Sequence, residues 1–347
     1  MRYRIFGRTG LRVSSLALGT GNFGTGWGYG AEHGQAKAIY DTYRAAGGNF
    51  IDTADQYQFG QSETLLGEFV AADRDDVVLT TKASMGDSPT AGLQGTGNSR
   101  KAITQSLEKS LKRLRTDRVD LLWVHMPDQV TPTDELARTL EDLVRSGKAL
   151  HVGLSDFPAW RVARAATIAE LRGWSGVSAI QLEYSLVERT SEAELLPMAD
   201  GFDLGVVGWS PLGGGLLTGK YRLGETGRKE GLGAVIHDEE GDARKTAALD
   251  AVLAIAEDAG ASPGAVAIAW VLAKGVLPIL GPRTPEQLAG NLAAGDVALS
   301  PEQIARLDAA SAPPVVFPQG MIADPGNRQA LAGGVPDQVD ARSRPLL

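Results

Sequence analysis

Leu121-Leu122-Trp123-Val124 is an uninterrupted apolar run of strand length, and a stretch of helical periodicity, Asp134 to Arg145, follows it until Gly147 stops it. A half-wet strand alternates apolar and polar residues. A run without alternation is covered on both faces, as in a parallel sheet. Working outward, the same unit recurs. Leu16-Ala17-Leu18-Gly19, Phe50-Ile51-Asp52 and Val77-Val78-Leu79-Thr80 precede it. Val152-Gly153-Leu154, Ala179-Ile180-Gln181, Gly205-Val206-Val207 and Val276-Leu277-Pro278-Ile279 follow. Between them lie further amphipathic stretches: one from Ser99 with Ile103, Leu107, Leu111 and Leu114 on one face, then Pro158 to Leu171, Glu192 to Ala199 and Pro285 to Ala294, with Ser262-Pro263 opening another. Eight strand–helix units in one direction predict an α/β fold, the (β/α)8 TIM barrel, because eight parallel strands close without an edge. A doubly wound open sheet is the competing arrangement.

Composition narrows the field. Across 347 residues, 43% hydrophobic and 22% charged side chains are ordinary for a packed chain. Acidic residues outnumber basic ones 42 to 34, a net charge of -8, which opposes nucleic acid or an anionic membrane as partner but leaves room for a local phosphate site. Without cysteine, disulfides, iron–sulfur clusters and a thiol nucleophile are excluded. His33, His125, His151 and His237 form no pair at helical spacing, so no metal is expected. The longest apolar stretch, Ala265 to Leu280, is broken by Lys274 and Pro278, and the expectation is a cytoplasmic protein with its oligomeric state open. One barrel domain is expected over 1–312. A Pro-rich tail, 313–347, either packs on the barrel or is partly disordered. The Gly- and charge-rich stretch Thr218 to Arg244 reads as a long loop.

Gly19-Thr20-Gly21-Asn22-Phe23-Gly24 spells G-x-G-x-x-G after a strand. A dinucleotide fold needs a helix to open inside that motif. Here the glycines continue through Gly26, Gly28 and Gly30 and the helix starts near Gln35, so a loop at a barrel mouth is the better reading.

In a barrel, chemistry gathers at the strand C-termini. Those positions supply Asp52 and, shortly after, Tyr57, then Lys82, His125, Ser155-Asp156, Gln181, Trp209-Ser210-Pro211 and Gly281-Pro282-Arg283-Thr284. Taken singly each has a structural explanation; Asp52, Tyr57, Lys82 and His125 on one rim make an acid–base set. A phenol titrates near 10, too high to exchange protons readily at neutral pH, and an ammonium beside it favours the phenolate. Asp52 would hold Lys82 charged, His125 would orient a carbonyl oxygen, and Tyr57 would give it a proton as hydride reaches carbon.

The sequence resembles the aldo-keto reductases. The resemblance rests on Asp52-Thr53-Ala54 with Tyr57, Gly60-Gln61-Ser62-Glu63, Thr81-Lys82, Thr116 to Leu121, His125, Gly147-Lys148, Gly153 to Phe157, Gln181 with Tyr184-Ser185, Trp209 to Leu212, Leu217 to Lys220, and Gly281 to Thr284 with Gln287 and Asn291. These stand in family order over about residues 3 to 310 and look most like bacterial aryl-alcohol and sugar reductases. The resemblance implies a base hairpin near Tyr3 to Val13, extra helices, and an NADPH/NADP+ cofactor serving a small carbonyl or alcohol substrate. It makes Tyr57 the proton donor, tuned by Lys82 and Asp52. Ser155, Asp156 and Gln181 would hold the nicotinamide carboxamide and Trp209 would stack on the ring. Gly19, Thr20, Asp52, Ser210, Pro211, Leu212 and Gly281 would complete the cofactor wall. Arg283 and Thr284 would grip the adenosine 2′-phosphate, with Gln287 and Asn291 near the adenine. A guanidinium at a helix start suits a phosphate dianion.

Three positions depart from the family pattern. Asp156 replaces the usual Asn, Trp209 the commoner Tyr, and Gln58 a frequent Gly. Trp27, Tyr29, Phe59 and Trp123 are expected to wall the substrate pocket, with packing inside the barrel the equal alternative for Trp123. The rival functions are an NADPH-binding regulatory subunit with little turnover and a metal-dependent barrel enzyme.

Overall fold

A computed structural model describes residues 1–224 and 243–339, so most of the expected 218–244 loop and the last tail residues, 340–347, lie outside the described part. Two short strands, β1 (Tyr3–Ile5) and β2 (Arg12–Ser14), form an antiparallel hairpin. Eight parallel strands follow: β3 (Ala17–Gly19), β4 (Phe50–Asp52), β5 (Val78–Ala83), β6 (Val119–Val124), β7 (Ala149–Ser155), β8 (Val177–Glu183), β9 (Gly205–Trp209) and β10 (Leu277–Leu280). They pair in sequence order and β10 closes on β3, giving a complete barrel. The open-sheet alternative is thereby removed.

Helices α1 (His33–Ala45), α2 (Gln61–Phe69), α3 (Arg100–Leu114), α4 (Thr133–Arg145), α5 (Ala159–Arg172) and α6 (Leu195–Gly201) fill the successive crossovers up to β9. α7 (Ala243–Ala259) and α8 (Pro263–Ala273) precede β10, and α9 (Pro285–Leu292) and α10 (Pro301–Ala310) follow it. Their starts obey capping chemistry: the Ser99, Ser262, Thr284 and Ser300 side chains each accept a backbone N–H from the first turn. Two short tail helices, α11 (Gln319–Ala323) and α12 (Pro325–Leu331), contain no buried residue; Gln319 Nε2 donates to Ala193 O at 2.9 Å and ties the tail to the barrel. Among the described residues no single helix is long and apolar enough to cross a membrane.

Two cores explain the missing alternation in the strands. Phe50, Val78, Leu121, Trp123, Ala179, Val207, Leu277 and Ile279 form one cluster inside the barrel. Their strand neighbours Ile51, Leu79, Leu122, Val124, Ile180 and Leu280 belong to the other, which packs against the helices. Each strand therefore has two dry faces. Phe6, beyond β1, joins the inner cluster edge-on to Phe50, 5.3 Å between centroids, and plugs its base.

Candidate active site

The inner positions repeat every second residue, so whatever stands two places beyond an inner core residue forms the next layer, at the C-terminal end. Phe50 leads to Asp52, Thr80 to Lys82, Trp123 to His125, Gly153 to Ser155, Ala179 to Gln181 and Val207 to Trp209. That layer opens into a cavity of about 970 Å³.

Four chemical side chains converge there. Lys82, fully buried, forms an ion pair with Asp52. Its Nζ also donates to Thr53 O and to Tyr57 Oη, both at 3.1 Å. Asp52 Oδ1 accepts from Thr80 Oγ1 at 2.8 Å and Gln181 Nε2 at 3.1 Å. Burial alone would lower the lysine's pKa; the Asp52 carboxylate and then Tyr57 outweigh it and raise it, so the ammonium persists. His125 stands edge-on to Tyr57, 5.9 Å between ring centroids. Burial, and secondarily the Lys82 charge, hold the imidazole well below the usual histidine pKa. It is neutral at pH 7, with one N–H to give, and its buried Nδ1 has no hydrogen-bond partner among the described residues.

The cavity continues past Ser155, Asp156, Gln181, Trp209, Ser210, Pro211, Leu212, Gly19 and Gly281 to Arg283, Gln287 and Asn291. Asp156, backbone φ 58°, accepts from Ser155 Oγ at 2.7 Å and from the Trp209 indole N–H at 3.1 Å. Arg283 precedes α9 and has no acidic partner among the described residues. Thr284 is the cap of that helix, its side chain accepting the Gln287 N–H at 3.2 Å. Trp27 and Tyr29 line the opposite wall, Trp27 edge-on to Tyr57 at 6.0 Å.

Trp123, Phe59 and Thr20 do not line the cavity. Trp123 is not in the pocket: it lies one layer below His125, fully buried, its indole N–H donating to Thr80 Oγ1 at 3.2 Å. Gly153 makes the room, since a Cβ there would sit 2.4 Å from the indole. Phe59 is 42% exposed and backs Trp27 from outside the cavity wall, 6.4 Å between centroids. Thr20 is wholly buried beneath the floor, donating to Asp52 O at 3.1 Å and accepting from Ser62 Oγ at 2.9 Å.

Other residues enter the site without having been singled out for it. Lys220, Gly214, Gly215 and Thr218 line the cavity from short 3-10 turns at Gly213–Thr218 and Lys220–Leu223. Gln58, in a left-handed conformation, clamps the Trp27 loop: its Oε1 accepts the Trp27 N–H at 2.9 Å and its Nε2 donates to Gly21 O at 3.0 Å. A Gly at that position could make neither bond. Among the described residues no group of three His, Asp or Glu side chains could hold a metal ion.

Comparison with known proteins agrees with the architecture. The sequence profile described as "Aldo/keto reductase family" matches residues 15–312. The chain is 39% identical over 319 residues to an uncharacterised oxidoreductase of Bacillus subtilis, covering 89% of this chain and 95% of the relative. It is 37% identical over 326 residues to norsolorinic acid reductase of Aspergillus flavus, covering 90% and 81%. It is 34% identical over 363 residues to an aldo-keto reductase of Aspergillus calidoustus, covering 99% and 90%. With the closed barrel and these near full-length matches, the chain belongs to the aldo/keto reductase family of oxidoreductases.

Proposed function

We propose that this chain is an NADP(H)-dependent oxidoreductase that interconverts an aldehyde or ketone and its alcohol, with Tyr57 as the proton donor. The observation that carries the reading is the Asp52–Lys82–Tyr57 chain beside a neutral His125 at the wall of a large cavity. The donor set lining the cavity suits the cofactor: cationic Arg283 and Lys220 for phosphates, polar Ser155, Asp156 and Gln181 with the Trp209 indole for the nicotinamide. When bound, that cofactor supplies or takes up a hydride.

The chain's own residues do the rest. His125 donates a hydrogen bond to the carbonyl oxygen and orients it; Tyr57 Oη gives that oxygen a proton, and Lys82, held charged by Asp52, stabilises the phenolate left behind. Trp27 and Tyr29 give the substrate an aromatic wall. The name of a relative, norsolorinic acid reductase, supports carbonyl reduction as the direction to assay first.

The test is NADPH absorbance with a panel of aldehydes and ketones. The protein should consume NADPH with at least one of them, and Tyr57→Phe should slow turnover by about 10²–10⁴ while leaving NADPH affinity within about twofold. Tight NADPH binding with no turnover on the whole panel would favour the regulatory alternative instead. Undiminished turnover in the variant would remove Tyr57 from the chemistry.

A further inference from the structure

The cavity wall carries charge of both signs: Arg283 and Lys220 against Asp52, Asp156 and Glu183. Asp156 stands beside the acid–base residues: its N–H donates to Gln181 O at 2.9 Å, its carboxylate accepts from Trp209, and Gln181 Nε2 in turn donates to Asp52. Hydride exchange with a carbonyl held by Tyr57 and His125 requires the nicotinamide ring beside these residues, while its phosphates need the cations. That ring changes charge during the reaction: it carries a positive charge when oxidised and none when reduced.

We propose that Asp156 sets the redox-state preference of the cofactor site, its carboxylate binding NADP+ more tightly than NADPH through the charge that only the oxidised ring carries. The inference rests on the function proposed above. Both bonds to Asp156 come from neutral donors, the Ser155 hydroxyl and the Trp209 N–H, an arrangement that favours the ionised carboxylate but leaves its charge uncancelled. Among the described residues the cation whose charge acts on it is Lys82, which is already committed to Asp52. Burial raises the Asp156 pKa, against the bonds from Ser155 and Trp209 and the charge of Lys82, so the carboxylate lies where an added cation is worth more than in water. The Trp209 contact also fixes this charge at the edge of the aromatic ring proposed to stack on the nicotinamide.

Asp156→Asn is the discriminating change. Asn tolerates the left-handed backbone that Asp156 adopts, its side-chain oxygen can still accept from Trp209, and its amide can donate to Ser155, so both partners are kept while the charge is lost. Affinities for NADP+ and NADPH are read separately by tryptophan fluorescence titration. The variant should bind NADP+ about tenfold more weakly, the order expected for one charge near another in a partly wet site, and NADPH within about twofold of the unaltered protein. Equal changes for both forms, or none for either, would overturn the role of Asp156 while leaving the proposed function standing. The unaltered protein offers the same test should the variant not fold: it should hold NADP+ tighter than NADPH, and the reverse order sinks the inference. Failure of the unaltered protein to bind either form would overturn both.

Discussion

At the Tyr57 end of the cavity, Lys82 is fully buried and Asp52 is 2% exposed; at the Arg283 end, Arg283 is half-buried and Gln287 is exposed. The first end is an ion pair locked by Thr80, Gln181 and the Thr53 carbonyl. The second is a helix start with a cation beside it that has no carboxylate partner among the described residues. Chemistry that needs atoms fixed to a fraction of an ångström sits where folding has already fixed them. Recognition of a charged group tolerates an open rim. The two ends should therefore respond differently to substitution: the buried one through folding and catalysis together, the open one through affinity alone.

The largest effect should follow from Lys82→Met. It leaves the Asp52 carboxylate buried without its cation, and breaking such a pair costs about 3–5 kcal/mol. Denaturant unfolding should show that loss, and turnover should fall by about 10² or more because the phenolate has lost its counter-charge. Asp52→Asn combined with Lys82→Met should recover part of the stability and none of the turnover. A Lys82→Met protein as stable as the original would break the contrast between the ends.

Behind the Tyr57 end lies Asp55, 1% exposed, its Oδ2 accepting from Ser106 Oγ at 2.7 Å and its Oδ1 without a hydrogen-bond partner among the described residues. Burial, and then the Glu63 charge, push its carboxyl up to about 7, against the pull of Ser106 and Arg113. The unfolded chain releases that proton near 3.8. Between about pH 4 and 7 the native state keeps a proton that the unfolded state has lost, so this carboxyl makes stability fall as pH rises through the window. Asp55→Asn should flatten the slope, a difference on the order of a few kcal/mol at neutral pH. Unfolding curves at pH 4.5 and 7 check it; an unchanged slope would show that Asp55 ionises without cost.

Much of this was readable from the sequence. The strands were visible because each carries two dry faces, and Asp52, Lys82 and His125 followed from standing at strand C-termini. Trp123 required the phase of the repeat as well as its existence: sharing a face with His125 two residues on, it belongs one layer down. Phe59 and Thr20 lie off the cavity for a related reason, since loop proximity does not say which side of a wall a side chain faces. Lys220 had no periodic signal, because it sits in 3-10 turns built on glycines such as Gly215 at φ 99°. The clamp by Gln58 depends on a left-handed backbone that the residue type does not announce.

At the open end, Arg283→Ala should act on affinity and little else. α9 keeps its own start: Pro285 occupies the first turn and the Thr284 hydroxyl caps the Gln287 N–H, while the Arg283 backbone N–H still donates to Gln287 Oε1 at 2.9 Å. Unfolding should therefore be unchanged within about 0.5 kcal/mol. Hydrogen bonds to a charged group contribute about 1.5–3 kcal/mol, so NADPH should bind roughly 10- to 100-fold more weakly. NADH, which lacks the 2′-phosphate, should bind as before. Equal losses for the two cofactors would move the phosphate reading away from Arg283 and onto the other cation lining the cavity, Lys220.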